Sequence, residues 1–510
     1  MHSNTARIAK NTLMLYFRQI VIMLVSLYTV RVVLNTLGAE DYGIYNIVAG
    51  VVVMFTFLNG AMTHATQRFL NFAMGQNDTE QVRNVFSISF VIHTLIAILV
   101  ILLAETVGLW FFYTWLNIPL ERQNAAFIVY QFSVVLMSIN ILLVPYRATI
   151  IAYEKMSFFA LMSIIEVLLK LAVVFLLTLI LFDKLVVYSF LILVIGFIIF
   201  FLHKIYCNKM FETAHFRYCN DKKLFQQLIE FSGWNVFGQI AIVSRSHGIN
   251  VLLNIFYGVT LNAAMGISTQ INTTIYTFVT NLQTAFRPQI IKSYAAKEND
   301  YFMKLIFQVS KVSFYLLFVI CLPLFMNTDF VLKLWLKNVP EYTVIFTQLM
   351  LLNSLETSLT TPLMMSIHAT GDIKRYQFIG SFLVFLNLPF SFLSLKIGFH
   401  PASVLVIKIA INVLTLIWRI YFSNRKVNLP IICYLHEVII PIIIIATISG
   451  IVNMFLCVFF VEWTRLIASC VISITSTSCL AYAIGLNRQE RVFLKNWIKK
   501  RLRLRQLGID

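Results

Sequence analysis

Runs of about 20 mostly apolar residues, enough to carry a helix across roughly 30 Å of hydrocarbon, recur about fourteen times along the 510 residues. They begin near residues 13, 43, 85, 123, 158, 186, 233, 262, 305, 343, 378, 403, 436 and 464. With 59% hydrophobic residues, 12% charged residues and a mean hydropathy of +0.82, a soluble domain of this size would lack a polar surface. The expected fold is an all-α polytopic membrane protein. The spans near 43 and 262 are the least apolar, carrying Asn59, His64 and Thr66 in one and Gln270, Asn272, Thr273, Thr274 and Asn281 in the other. Polar spans are expected to face a cavity rather than lipid.

The runs also duplicate. Phe17-Arg18-Gln19-Ile20 returns 220 residues later as Phe237-Gly238-Gln239-Ile240, and Gly38 returns as Gly258. A slip of one or two residues then aligns Val32-Val33-Leu34-Asn35 with Val251-Leu252-Leu253-Asn254. Six spans separate the two starts, so both copies enter the membrane from the same side and the repeat is parallel. This predicts a six-helix lobe over 1–203, a cytoplasmic linker over 204–231 and a second six-helix lobe over 232–425. Two additional helices over 426–487 and a basic amphipathic tail over 488–510 follow, the tail expected to lie on the inner surface.

Charge fixes the orientation. If the N-terminus is inside, the inside segments hold 28 Lys and Arg, and the opposite loops hold five, namely Arg122, Lys184, Lys333, Lys337 and Lys396. Both ends are therefore expected in the cytoplasm. The net charge of +18 is largely this bias, and no nucleic-acid partner is implied. The first span carries Arg18 and Arg31 and lacks a small-residue cleavage site, so it is expected to stay in the mature protein. The seven cysteines imply no disulfide framework. In the linker, the repeated spacing of His203 with Cys207 and of His215 with Cys219 uses zinc-ligand types without a tight zinc pattern, and no metal site is expected.

Six basic residues fall well inside the spans, Arg18, Arg31, Lys170, Arg245, Lys311 and Lys408, and Arg465 stands at the outer edge of the last one. Arg18, Lys311 and Lys408 stand roughly 9 Å from a span end, within reach of the interface. Arg245 and Lys170 lie deeper, where an unpaired charge costs about 3 kcal/mol on the insertion scale. Glu166, four residues before Lys170, offers it an ion pair on one helix face. Arg245 has no carboxylate at helical spacing and is expected to face a ligand, as is Arg31 in the outer half of the first span. Guanidinium forks match phosphate oxygens, so an anionic substrate is expected and cationic drugs are disfavoured. Glu356 and Glu166 are the candidate ion-coupling carboxylates, for H⁺ or Na⁺. No nucleotide-binding loop or ATPase domain stands in the chain, and the short outer loops leave no room for a polymerase's catalytic segment.

Asn11-Thr12-Leu13, the turn Leu37-Gly38-Ala39-Glu40-Asp41-Tyr42-Gly43-Ile44-Tyr45 and the two six-span lobes resemble the polysaccharide exporter branch of the multidrug/oligosaccharidyl-lipid/polysaccharide (MOP) exporter superfamily. O-antigen and repeat-unit flippases are the nearest likeness. The resemblance implies a V-shaped pair of lobes that open alternately, and no enzymatic chemistry. It also implies a substrate, an undecaprenyl-pyrophosphate-linked oligosaccharide moved from the cytoplasmic to the periplasmic leaflet of a bacterial inner membrane. Cofactors are not implied. Partner polymerases and glycosyltransferases of polysaccharide biosynthesis are. By position, Arg18, Arg31 and Arg245 are the basic residues carried over to the cavity, with Lys170 beside them, and Gln270, Asn272, Thr273, Gly50, Asn59 and Gly60 are candidates for sugar contact. The alternatives are a cation-coupled multidrug exporter and a membrane polymerase or glycosyltransferase.

Overall fold

The computed structural model describes the backbone of all residues except 1, 54–55, 116–117, 180, 258, 337–338, 488–489 and 492–510. Within the helices it describes side chains except at 2–10, 27, 30, 31, 34, 35, 39, 40, 42, 43, 46, 47, 49–53, 56–61, 115, 259, 260 and 263. The described residues contain helices, turns and no strand. In chain order the α-helices are α1 (His2–Val53), α2 (Thr56–Gly75), α3 (Thr79–Leu103), α4 (Leu109–Trp115), α5 (Gln123–Ala152), α6 (Met156–Leu177) and α7 (Lys184–Met210). Then come α8 (Lys222–Tyr257), α9 (Val259–Ala295), α10 (Asn299–Met326), α11 (Thr328–Trp335), α12 (Thr343–Thr370), α13 (Lys374–Phe385) and α14 (Asn387–Lys396). The last are α15 (Ser403–Val427), α16 (Ile431–Tyr434), α17 (Ile440–Cys457) and α18 (Glu462–Leu480).

Among the described residues, nine helical segments are long and apolar enough to cross a membrane, and they fall at nine of the expected spans. The other five expected spans lie on α1, on the end of α1 with α2, and on α8, α9 and α12. On α8 and α12, which are described throughout, the shortfall has a chemical cause: they hold Arg245 and Glu356 with several Asn, Ser and Thr residues, and each polar or charged residue lowers the mean hydropathy of its window.

Contacts divide the described residues into two compact units. The first takes Met1–Ile240, Thr284–Glu298 and Gly371–Phe378, and the second takes Ala241–Gln283, Asn299–Thr370 and the described residues from Ile379 on. In the first unit, α1, α3, α5 and α7 share a core of Ile44, Val48, Ala97, Val100, Tyr130, Val134, Ile141 and Leu185. The expected turn after the first span is a kink: α1 runs through 52 residues and breaks its helical geometry at Gly38, with φ 82° and ψ 167°. An L side chain rarely adopts that conformation. Just beyond it, Asp41 pairs with the Arg122 guanidinium, which also reaches Asp183 at 2.6 Å. Asp183 caps the start of α7 by accepting hydrogen bonds from the Leu185 and Val186 amides.

The segment Thr284–Glu298 docks on the turn between α5 and α6. Buried Glu154 accepts hydrogen bonds from Gln289 Nε2 at 2.7 Å and Lys292 Nζ at 3.0 Å, and Lys292 also donates to the Ala152 carbonyl. Close approach is possible because position 75 is glycine, where a Cβ would stand 2.6 Å from the Lys292 carbonyl and the Ala295 side chain. In the second unit, α8, α9, α12 and α15 meet around Ile249, Leu253, Ala264, Phe346, Met350, Val404 and Leu405. There α10 packs against α12 and against the additional pair α17 and α18.

Candidate functional site

In the second unit, polar side chains of α8, α12 and α15 form one connected cluster. Arg245 Nη1 donates to Asn412 Oδ1 at 3.0 Å, and Asn412 Nδ2 donates to Asn353 Oδ1 at 2.9 Å. Asn353 and Glu356 are three residues apart on α12 and share a helix face. Glu356 has three cationic neighbours, Arg245, Arg419 and Lys408. None of them lies within ion-pair distance of it among the described residues. Its Oε2 accepts a long hydrogen bond of 3.4 Å from Thr357, and its Oε1 is buried without a partner, as is Nε of Arg245. Lys408 Nζ lies 3.6 Å from the Met350 sulfur. The cluster therefore brings three basic side chains around one carboxylate inside helices of a membrane protein. In a medium of low dielectric such a surplus favours an entering anion.

Arg245 and Glu356 are thus brought together, as separate readings of their depth did not anticipate. Lys408, whose depth leaves it within reach of the interface, and Arg419, near the end of its span, belong to the same cluster. The signal that finds them is periodic. Lys408, Asn412 and Arg419 stand at i, i+4 and i+11 on α15, one face of a 3.6-residue helix. On α9, Asn272 accepts a hydrogen bond from Ser354 of α12 and so ties two helices together. Gln270 is exposed, and its backbone carbonyl takes the hydroxyls of Thr273 and Thr274. Among the described residues, no hydrogen bond joins the Gln270 side chain to the Arg245 cluster.

The first unit holds a second cluster of the same character on α1, α5, α6 and α7. Lys170 Nζ meets Glu166 Oε1 at 2.7 Å, the ion pair that the four-residue spacing predicts. The same carboxylate faces Arg147 Nη2 at 3.5 Å. Arg18 stands beside Arg147 and places its guanidinium 4.9 Å from the centre of the Phe159 ring, a cation–π geometry. His203 lies next to Arg147 and Glu166, and its Nδ1 is 2.8 Å from the Ile199 carbonyl. Arg147 stands within the last turns of α5, which continues through Pro145 to Ala152. The side chains of Arg31, Asn59 and Gly60, and position Gly50, lie outside the described residues. Arg287, in the segment that joins the first unit, contacts His64.

Each unit therefore places several cations beside one carboxylate, Glu166 in the first and Glu356 in the second. Among the described residues no group of three or more His, Cys, Asp and Glu side chains is placed to hold a metal ion.

No protein-family model matches the chain. No curated protein matches it either. Solved structures do. A multidrug resistance MATE family transporter of the MOP superfamily, in an outward-facing conformation, superposes with a TM-score of 0.70 at 12% identity over 82% of this chain and 96% of that one. A MOP superfamily transporter from Pyrococcus furiosus, for which reverse polarity of the binding pocket suggests a different function, gives 0.69 at 11% identity over 82% and 96%. A MATE in complex with MaD3S gives 0.68 at 10% identity over 83% and 97%. The chain has the fold of these MATE and MOP-superfamily transporters.

Proposed function

We infer that the protein is a membrane transporter for a phosphate-bearing anionic substrate, and that this substrate is a polyprenyl-pyrophosphate-linked oligosaccharide flipped from the cytoplasmic to the periplasmic leaflet of a bacterial inner membrane. The observation that carries the reading is the positive surplus around Glu356, formed by Arg245, Lys408 and Arg419. Arg18, Arg147 and Lys170 around Glu166 in the other unit support it. A diphosphate is complementary in charge to these basic groups, and guanidinium forks bind it through two parallel hydrogen bonds each. Translocation needs no bond chemistry. The head group passes through the polar interior while the polyprenyl chain stays in lipid, and differential binding of two conformations drives the exchange. Glu356, with one unpartnered oxygen, is the group we assign to H⁺ or Na⁺ coupling, and Glu166 is a second candidate. Polymerases and glycosyltransferases of polysaccharide biosynthesis are the partners this substrate implies.

A cation-coupled multidrug exporter is the second reading, because a multidrug resistance transporter shares the fold. The charge balance opposes it, since a cationic drug would meet like charge at both clusters. The same fold includes a MOP superfamily transporter for which reverse polarity of the binding pocket suggests a different function.

The test is leaflet translocation of a labelled polyprenyl-pyrophosphate sugar in proteoliposomes. Arg245→Ala is expected to reduce the initial rate at least ~10-fold, the equivalent of about 1.4 kcal/mol, while the protein remains folded and inserted. Wild-type translocation that is absent, or equal in the variant, would sink the reading. Resistance of expressing cells to cationic drugs would favour the exporter.

A further inference from the structure

We propose that the cleft where α10, α17 and the end of α18 meet is a regulatory binding site for a phospholipid with a zwitterionic phosphoethanolamine headgroup, separate from the transport site. The cleft is a cavity of about 400 Å³ lined by Lys311, Glu437, Ile440, Ile484, Asn487 and Arg491, among others. A recess of about 280 Å³ shares Lys311, Glu437 and Asn487 with it and adds Lys304. Together they have the size of a polar headgroup with ordered water.

Two irregularities of the helices frame the opening. A π-helical turn at Leu435–Ile439 separates α16 from α17, and another at Ala481–Gly485 closes α18. Such turns widen a helix locally and recur at functional sites. Between them the floor is rigid. Lys311 is 2% exposed and donates to Glu490 Oε2 at 2.7 Å and to the Gly485 carbonyl at 3.3 Å. Asn487 and Glu490 exchange backbone and side-chain hydrogen bonds of 2.8 and 2.9 Å, the reciprocal pattern of a capping box. Lys311 and Glu490 therefore neutralise each other and leave no net charge for a ligand.

Lys304 of the recess is engaged elsewhere, and the two charges of the larger cleft that belong to no ion pair among the described residues, Glu437 and Arg491, have opposite signs. Arg491 is fixed by hydrogen bonds from Nε to the Leu486 carbonyl and from Nη2 to the Ala483 carbonyl, both 2.8 Å. Its Nη1 makes no hydrogen bond among the described residues. Glu437 is exposed on its π turn and belongs to no ion pair among the described residues. A headgroup that carries a phosphate and an ammonium a few bonds apart offers a partner to each of these two charges. A purely anionic headgroup would meet Arg491 at the cost of repulsion from Glu437. The apolar path for the chains is continuous with the cleft. Ile440, Ile444, Ile448 and Ile451 are exposed along α17 at helical spacing, with Ile484 beside the mouth. This end of the unit also belongs to the Lys- and Arg-rich side that the charge bias assigns to the cytoplasm, where a phospholipid headgroup is available.

The test uses the full-length protein purified in detergent, with dihexanoyl-phosphatidylethanolamine, dihexanoyl-phosphatidylglycerol and soluble O-phosphoethanolamine as probes. Binding is read by native mass spectrometry and by the shift of the thermal unfolding midpoint. The wild type is expected to retain the ethanolamine lipid roughly 5-fold better than the glycerol lipid, a difference of about 1 kcal/mol, and to gain little from the soluble headgroup. Glu437→Gln is expected to abolish the preference and leave the unliganded midpoint unchanged, because Glu437 is exposed and makes no bond. Arg491→Lys is expected to weaken retention of both lipids. Equal retention of the two lipids by the wild type overturns the proposal, as does an unchanged preference in Glu437→Gln. A shift from O-phosphoethanolamine equal to that from the lipid overturns the lipid as occupant. Translocation in proteoliposomes, measured separately, leaves this outcome distinct from that of the transport reading.

Discussion

Arg122 shows how one side chain fixes three stretches of chain. It lies at the start of α5 and reaches Asp41 just past the α1 kink and Asp183 at the cap of α7. Burial alone would raise the Asp183 carboxyl, but the hydrogen bonds from Arg122 and from the Val186 and Leu185 amides outweigh it, and the group titrates below the usual carboxylate range. A carboxyl lowered in the folded state adds stability that is complete above its unfolded pKa of about 3.9 and disappears as pH falls through the folded value. The wild type is therefore expected to lose an increment of stability below about pH 4 that Asp183→Asn never has. Unfolding midpoints measured from pH 7 to pH 3 check this, and parallel curves would refute it. The side chains are partly exposed, at 27% and 35%, so Arg122→Gln is expected to cost only about 1 kcal/mol, and less at high salt. The motif residue Asp41 was legible as part of a turn signature. Its partner, 81 residues away, was not, because no local spacing relates the two.

The π turn that interrupts the third span is an element built around a single contact. Tyr130 of α5, fully buried, donates its hydroxyl to the Ala104 carbonyl at 2.7 Å, taking up an acceptor at the start of the Ala104–Gly108 turn. Gly108 closes the turn, and a Cβ there would sit 2.1 Å from the Tyr130 hydroxyl. The ring cannot retreat, since it packs against Phe112 and is held by its hydrogen bond. Gly108→Ala is expected to destabilise the protein by about 2 kcal/mol. In a Tyr130→Phe background the same change is expected to cost clearly less, because the clashing oxygen is gone. A double-mutant cycle on unfolding in detergent decides it, and additive costs would show that the glycine serves another contact. At this scale the apolar runs marked the spans but not their internal irregularities. A π turn inserts one residue into a repeat of 3.6 and leaves the hydropathy of the run unchanged, so nothing in Ala104–Gly108 or Leu435–Ile439 marks it in advance.

Across the whole molecule the same division holds between what a run of residues encodes and what the fold assembles. Depth within a span was enough to single out Arg245, Lys170 and Glu356, since an isolated charge in hydrocarbon demands an explanation. It did not reveal Arg147, Lys408 or Arg419 as members of the clusters, because residues near helix ends read equally well as loop or interface. Assembled, the clusters leave Glu356 as a carboxylate among cations with one oxygen unpartnered. A group so placed has two ways to respond to a driving ion: it takes a proton or it shares Na⁺. Either way the charge of the site changes by one, and with it the affinity for an anion. Glu356→Gln removes that variable and fixes the site in its more positive state. In proteoliposomes the variant is expected to bind the substrate at least as well as the wild type, yet to translocate it at a rate independent of both pH and the Na⁺ gradient. A variant that keeps the wild-type dependence on both ions would exclude Glu356 as the coupling group and leave Glu166, already engaged by Lys170 and Arg147, as the carboxylate to test. A variant that no longer binds substrate would mean that the carboxylate positions Arg245 and Asn412 rather than senses an ion, and Arg245→Ala would then show the same loss.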